Sequence, residues 1–168
     1  MKGILATFVL AVVSTAATAK DLPLPEDLLA YATQSKCAPV PNFYDRPSMV
    51  EPPYVYGYLS GDKENSAVIW CKPDTSGDSD IYWLLFFTKD NNVSIGCPKK
   101  IVWDSYPGGL SIDTSSKYSL DDFYSVTDRK RKAPKGTKIS GAVVVSYYDG
   151  IETTFYCYQN QWLFHQTD

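Results

Sequence analysis

The stretch ISGAVVVSYYDGIETTFYCYQNQWLF, residues 139–164, decides the fold because it combines strand-forming runs with two tight-turn signals. Two runs rich in β-branched and aromatic residues flank Asp149 and Gly150. Asp-Gly is typical of a type I′ turn, in which both central residues need positive φ angles. Gln159 and Asn160 offer a second tight turn before a final apolar run. We therefore expect a three-stranded antiparallel meander at this end of the chain.

The region upstream of the meander also favours strands. Residues 66–71 and 81–88 are rich in strand-forming residues, and the second run is the most hydrophobic after the N-terminal one. We expect 81–88 to be a central strand that is covered on both faces. Residues 121–125 fit either a helical turn or an edge strand. The shorter strand candidates are 54–59, 93–96 and 101–103.

An N-terminal helix and a Pro-rich strap precede the strands. In residues 24–34, Pro25 suits a first helical turn, and Glu26 and Asp27 suit the positive end of the helix dipole. Residues 37–53 hold five prolines, which exclude a regular helix or a central strand. Apolar residues lie between these prolines, so we expect an ordered strap on the domain surface.

The elements together predict one α+β domain that is mostly β. We expect the helix and the strap to pack on an antiparallel sheet. The predicted mature chain of 149 residues suits a single domain. Its parts are a helix region (20–36), the Pro-rich strap (37–53) and an antiparallel β region (54–168).

Residues 1–19 have the three zones of a secretory signal peptide. Lys2 supplies a positive charge, residues 4–13 are largely apolar, and small residues lead to Ala19. The apolar run is too short for a transmembrane helix, which needs roughly 20 residues. We expect cleavage after Ala19, a periplasmic or secreted mature chain, and no transmembrane segment in it.

The chain has four cysteines: Cys37, Cys71, Cys97 and Cys157. In an exported protein this number predicts two disulfides. Four cysteines can form two disulfides in three ways. We favour Cys37 with Cys71 and Cys97 with Cys157, because the first bond would fasten the strap. No Cys-x-x-Cys pair occurs and the chain has one histidine, so we expect no metal site and no cofactor.

A basic run interrupts a chain that is acidic overall. The predicted mature chain has 15 basic and 19 acidic residues, which argues against binding to nucleic acid. Six basic residues nevertheless lie within 129–138, led by Arg129, Lys130, Arg131 and Lys132. We interpret this run as a docking patch for an acidic protein partner or a cell-envelope polymer. The alternative is a solubilising loop between two strands.

A row of tyrosines is the second anomaly of composition. Tyr54, Tyr56 and Tyr58 alternate, so they share one face of a strand. Exposed tyrosines suit recognition of proteins or sugars, because they combine a large apolar ring with a hydroxyl. The alternative is that they cover a half-buried face of the sheet.

Catalytic chemistry has weak support in the sequence. His165 lies three residues from the end of the chain, where fraying is common. Asp104, Asp113 and Glu51 are the carboxylates that would serve a small carbohydrate-active or cell-wall-directed enzyme. We predict instead a non-enzymatic binding module, for example a periplasmic inhibitor or immunity-type protein that binds another protein. The alternatives are that enzyme and a structural component of the envelope.

Overall fold

A computed structural model describes residues 24–40, 52–59, 66–77, 79–88, 96–113, 118–135, 139 and 141–167. Several sequence predictions lie outside the described residues: the signal peptide, the strap from 41 to 51 with Glu51, and most of the 93–96 strand candidate.

Within these residues the chain forms one α-helix and ten strands, which confirms the mostly β fold. The helix is α1 (Glu26–Gln34). The strands are β1 (Cys37–Pro39), β2 (Tyr54–Gly57), β3 (Ser66–Pro73), β4 (Tyr82–Thr88), β5 (Lys100–Trp103), β6 (Gly109–Asp113), β7 (Tyr124–Ser125), β8 (Val143–Tyr148), β9 (Ile151–Tyr158) and β10 (Gln161–Thr167).

The strands form two antiparallel sheets. In the first sheet, β1 and β2 pair with different parts of β3, and β4 and β5 follow. The second sheet has the order β6-β8-β9-β10-β7, and β8 to β10 are the predicted meander. Asp149 and Gly150 have φ angles of 47° and 88°, and Gln159 and Asn160 have 47° and 63°. These positive values fit the two tight turns expected from the sequence.

Two elements differ from the sequence predictions. β6 corresponds to none of the predicted strands, and it is held by its pairing with β8. Residues 121–125 predicted one element, but they contain two. A 3-10 turn, Leu120–Asp122, is followed by the short edge strand β7, which pairs with β10.

The two sheets pack face to face around an aromatic core. Leu84 and Phe86 of β4 face the second sheet, whereas Leu85 and Phe87 face α1, as strand alternation requires. The Phe86 ring stacks on Trp162 of β10 at 4.1 Å between centroids. β4 is therefore the central strand covered on both faces that the sequence predicted.

The outer face of each sheet carries its own cover. Leu28 and Ala32 of α1 are fully buried on the first sheet. The chain between β6 and β8 covers the second sheet with Leu120, Phe123, Ala133 and Ile139. Residues 129–135 of the basic run lie in this cover, where Ala133 is buried.

The favoured disulfide pairing is confirmed. Cys37–Cys71 fastens β1 to β3, and the two Cα atoms are 5.6 Å apart. Cys97–Cys157 joins the chain before β5 to β9, with Cα atoms 5.9 Å apart, and so links the two sheets. Such bonds are typical of extracellular or periplasmic proteins. No helix within the described ranges is long and apolar enough to cross a membrane.

The segment between β5 and β6 carries the chain from the first sheet to the second. Gly108 lies against β8, where its N–H donates to Ser146 Oγ at 3.2 Å. A Cβ atom at this position would collide with the backbone carbonyl of Tyr147. Glycine is therefore required where the segment crosses β8.

Candidate functional site

The first part of the basic run is a loop held at both ends by backbone hydrogen bonds. We call residues 126–132 the basic loop. At its start, Val126 N–H donates to the Trp162 carbonyl at 3.0 Å. At its end, the Arg131 carbonyl accepts from Ser125 N–H at 2.8 Å, and Lys132 forms an isolated bridge with Tyr124. The loop therefore stays in register with β7 and β10.

Asp128 shapes the turn inside the basic loop. Its N–H donates to Ser125 Oγ at 3.3 Å, and its carbonyl accepts from Arg131 N–H at 2.8 Å. Its carboxylate accepts from Lys130 N–H at 3.2 Å. Aspartate favours turns because its side chain accepts from the backbone nearby. These hydrogen bonds fix the backbone that carries the cations before any ligand binds.

Arg129 spans the gap between the two sheets. Its guanidinium lies over Trp103 of β5, 4.8 Å from the ring centroid, and 5.8 Å from that of Phe164 of β10. Its Nη2 also pairs with Asp104 Oδ1, just after β5. The Arg129 side chain is still 49% exposed and that of Asp104 is 64% exposed. The guanidinium is oriented and remains accessible.

The other three cations of the basic loop divide into two kinds. Lys132 Nζ lies 5.3 Å from the centroid of the Tyr124 ring, so this lysine is packed on an aromatic face. Lys130 and Arg131 are exposed. Two cations are therefore oriented by aromatic rings, and two extend the positive surface beside them.

An open groove of about 420 Å³ lies beside the basic loop. It is lined by residues from β7, β10, the 3-10 turn and the loop itself: Asp122, Tyr124, Arg129, Lys132, Phe164, His165 and Gln166. Aromatic rings and cations thus line the same groove, an arrangement that suits a ligand with an anionic group next to apolar atoms.

His165 is better ordered than its sequence position predicted. It lies within β10, which pairs with β9 up to Thr167. Its Nδ1 lies 3.0 Å from the Asp122 carbonyl, so Nδ1–H donates there, and its ring packs 5.5 Å from Phe123. The expectation of a frayed residue was wrong because strand pairing continues beyond this point.

Carboxylates lie among the cations. Asp104 pairs with Arg129, Asp122 lines the groove, and Asp128 accepts from the backbone of Lys130. Opposite charges at such short range weaken the long-range field of the basic run. The site is therefore suited to specific short-range pairing more than to general attraction of polyanions.

The tyrosine row lies elsewhere, beside α1 on the first sheet. Tyr54 is half-buried against the core under α1, whereas Tyr56 and Tyr58 are exposed. The Tyr56 hydroxyl donates to Asp27 Oδ1 of α1 at 2.9 Å. Although the side chain is exposed overall, partial desolvation and that carboxylate raise the pKa of Tyr56. Tyr56 thus helps to hold the helix, which is a structural task.

The predicted carboxylates do not form one described cluster. Asp104 pairs with Arg129, and Asp113 lies at the end of β6 opposite Val143. Glu51 lies outside the described residues. Within the described part of the chain, no group of three or more His, Cys, Asp or Glu residues is placed to hold a metal ion.

A second aromatic cluster lies on the segment that carries Asp104. Tyr106, which is exposed, stacks on Tyr148 at 5.5 Å and meets Tyr82 at 6.4 Å. Burial, with smaller contributions from Asp80 and the two neighbouring tyrosines, raises the pKa of Tyr82. Tyr106 therefore packs against both Tyr82 and Tyr148.

The sequence did not reveal the aromatic rings that contact Arg129 and Lys132. Trp103, Tyr124 and Phe164 come from three strands of two sheets and meet Arg129 or Lys132 only in the folded chain. No spacing along the chain connects them. The basic run was the one part of this site that the sequence indicated as a binding surface, whereas Asp104 was considered there only for catalysis.

No protein-family model matches this chain, and comparisons with curated proteins and with solved structures find no significant match.

Proposed function

We propose that this protein is an exported, non-enzymatic binding module that binds an acidic surface of another protein through its basic loop. The observation that carries the proposal is the arrangement of Arg129 and Lys132. Both cations are held over aromatic rings at an open groove, next to the exposed Lys130 and Arg131.

Preorganisation is the physical reason for choosing this surface. Ordering a flexible side chain at an interface costs free energy, and a loop already fixed by hydrogen bonds avoids much of that cost. Arginine and aromatic residues are also enriched where interfaces bind most strongly. The basic loop supplies arginine on a fixed backbone, and the neighbouring strands supply the aromatic rings.

Export is part of the proposal. It rests on the signal-peptide pattern of residues 1–19, with cleavage after Ala19, and agrees with the two disulfides. One form of this function is a periplasmic inhibitor or immunity-type protein, whose target would present carboxylates to the loop.

The enzyme alternative has less support from the placement of its candidates. A general acid or base needs a carboxyl group free to exchange protons with substrate. Asp104 already pairs with Arg129, and Asp113 lies at the far end of β6. We therefore expect that replacing Asp104 changes the binding of a partner and not the rate of any reaction.

Affinity capture tests the proposal. The mature chain from Lys20, with both disulfides intact, is immobilised and exposed to the native envelope or secreted fraction. We expect mass spectrometry to identify one partner protein captured in stoichiometric amount relative to the immobilised chain. This partner should no longer be captured when Lys130 and Arg131 are both changed to Ser. A double variant of two exposed lysines outside the basic loop and the groove, Lys36→Asn with Lys99→Ser, should still capture it. Capture that is equal in both double variants would contradict the proposal.

A further inference from the structure

We propose that the groove beside the basic loop is an anchor site for one carboxylate group of the partner, which replaces Asp104 as the ion-pair partner of Arg129. This inference rests on the proposed function. It assigns the specificity of partner binding to the guanidinium of Arg129. The long-range attraction would come from Lys130 and Arg131, and the anchoring from Arg129.

The geometry of Arg129 is the first support. A guanidinium offers five N–H donors in a planar fork. The ion pair with Asp104 occupies Nη2, and within the described residues the structure records no other hydrogen bond of this guanidinium. Trp103 and Phe164 hold its plane in place. An incoming carboxylate can therefore make a two-point contact with this guanidinium, which Asp104 does not make, and so replace it.

Asp104 has the properties of an exchangeable occupant. It lies in the segment after β5, its side chain is 64% exposed, and it meets Arg129 through one oxygen. Exposed ion pairs of this kind contribute little to stability, because water competes for both charges. A carboxylate that arrives with additional contacts in the groove would displace Asp104 readily.

The groove supplies those additional contacts. Its volume of about 420 Å³ admits an acidic side chain together with part of its neighbours. Lys132 adds a second positive charge, which offsets the Asp122 carboxylate in the same lining. Phe164 and Tyr124 add apolar surface, and Gln166 adds a neutral polar group. Apolar walls strengthen a charge pair because they exclude part of the surrounding water.

The test uses small probes, so it does not need the partner. Binding of the peptide Ac-Gly-Glu-Gly-NH2 to the isotope-labelled mature chain is followed by NMR, with Ac-Gly-Gln-Gly-NH2 as its matched control. We expect saturable, millimolar binding of the Glu peptide, with shifts at the Arg129 side chain and at residues 124 and 164–166. The Gln peptide should give no saturable shift.

Two variants separate an anchoring role from a structural one. Asp104→Asn removes the internal competitor, so the Glu peptide should bind at least threefold more tightly. Arg129→Lys keeps the charge but loses the planar fork, so binding should weaken at least fivefold. The control Lys99→Ser, in the chain before β5, should bind within a factor of two of the wild type.

Several outcomes would overturn the inference. Weaker binding in Asp104→Asn would mean that Asp104 is part of the recognition surface and not a competitor. Inorganic phosphate that binds as tightly as the Glu peptide would mean a general anion site. If neither peptide binds while Lys130→Ser/Arg131→Ser still abolishes partner capture, the groove assignment is wrong and the proposed function stands.

Discussion

Arg129 and Asp104 form an ion pair across the edge where the two sheets face each other, although 25 positions separate them in the chain. Trp103 of the first sheet and Phe164 of the second lie beneath the same guanidinium. One side chain therefore touches both halves of the sandwich and also borders the groove. Sheet packing and the proposed binding surface depend on the same residue.

The first prediction concerns the stability of this contact. Arg129→Ala should lower the free energy of unfolding by about 1 kcal/mol, because an exposed cation–π contact and an exposed ion pair are both lost. Tryptophan fluorescence should also change, because Trp103 loses the charge above its ring. Chemical denaturation monitored by fluorescence measures both effects. Lys130→Ala is the matched control, and an equal effect there would contradict a specific role of Arg129.

The second prediction concerns the crossing between the sheets. Gly108→Ala should destabilise the domain by about 1–3 kcal/mol or more, because the new methyl group meets the Tyr147 backbone, which cannot rotate away. Gly57→Ala is the control, because its nearest obstacle is the end of the flexible Ile112 side chain. Thermal unfolding compares the two variants. Equal losses would show that the close approach at Gly108 is not limiting.

The third prediction concerns the disulfide that joins the sheets. Changing Cys97 and Cys157 to Ser together should cost about 2–4 kcal/mol, because the bond closes a long loop and restricts the unfolded chain. The variant should remain folded, since Cys97 and Cys157 are only partly buried at the margin of the aromatic core and the fully packed rings stay in place. Urea unfolding of the oxidised variant gives the value. A loss below about 0.5 kcal/mol would contradict this contribution.

The fourth prediction concerns alkaline pH and the helix contact. Burial and the Asp27 carboxylate raise the pKa of Tyr56 above the ordinary tyrosine value of about 10. The folded state therefore binds this proton more tightly than the unfolded state does. Its stabilising effect is complete below about pH 10 and is lost as the pH rises through the folded-state pKa.

Tyr56→Phe tests this dependence. At neutral pH the variant should lose about 0.5 kcal/mol, the lower range for one hydrogen bond, because the contact is exposed. Above pH 10 its Tm should fall less steeply than that of the wild type. Tyr54→Phe on the same strand is the control, since the described structure records no hydrogen bond of its hydroxyl. Parallel Tm profiles for wild type and Tyr56→Phe would contradict the assignment.

Local chemistry explains why much of the fold was predictable. The Asp149-Gly150 turn needs positive φ angles that few residue pairs adopt, so the meander is visible in the chain itself. The continuous apolar run of β4 identifies a strand covered on both faces. Such signals depend on neighbours in sequence. The sequence of β6 carries no such local signal. This segment, including Gly109, is a strand because it pairs with β8.

The candidate site was predictable only in part, for the same reason. The basic run is a local pattern, and the loop it predicted is present. Asp104 was singled out as a catalytic candidate, but the structure pairs it with Arg129, a relationship that depends on the packing of two sheets. Contacts between distant segments also form the groove, hold His165 against Asp122 and join Tyr56 to Asp27 of the helix.

The most direct test of the account is the dissociation constant of the isolated complex between the mature chain and its captured partner, measured at low and at physiological salt. We expect Lys130→Ser/Arg131→Ser to weaken binding at least tenfold at low salt and to flatten the salt dependence, because two charge pairs are removed. Lys36→Asn/Lys99→Ser should leave both quantities within a factor of two. An unchanged dissociation constant in the first variant would contradict the claim that the basic loop is the binding surface.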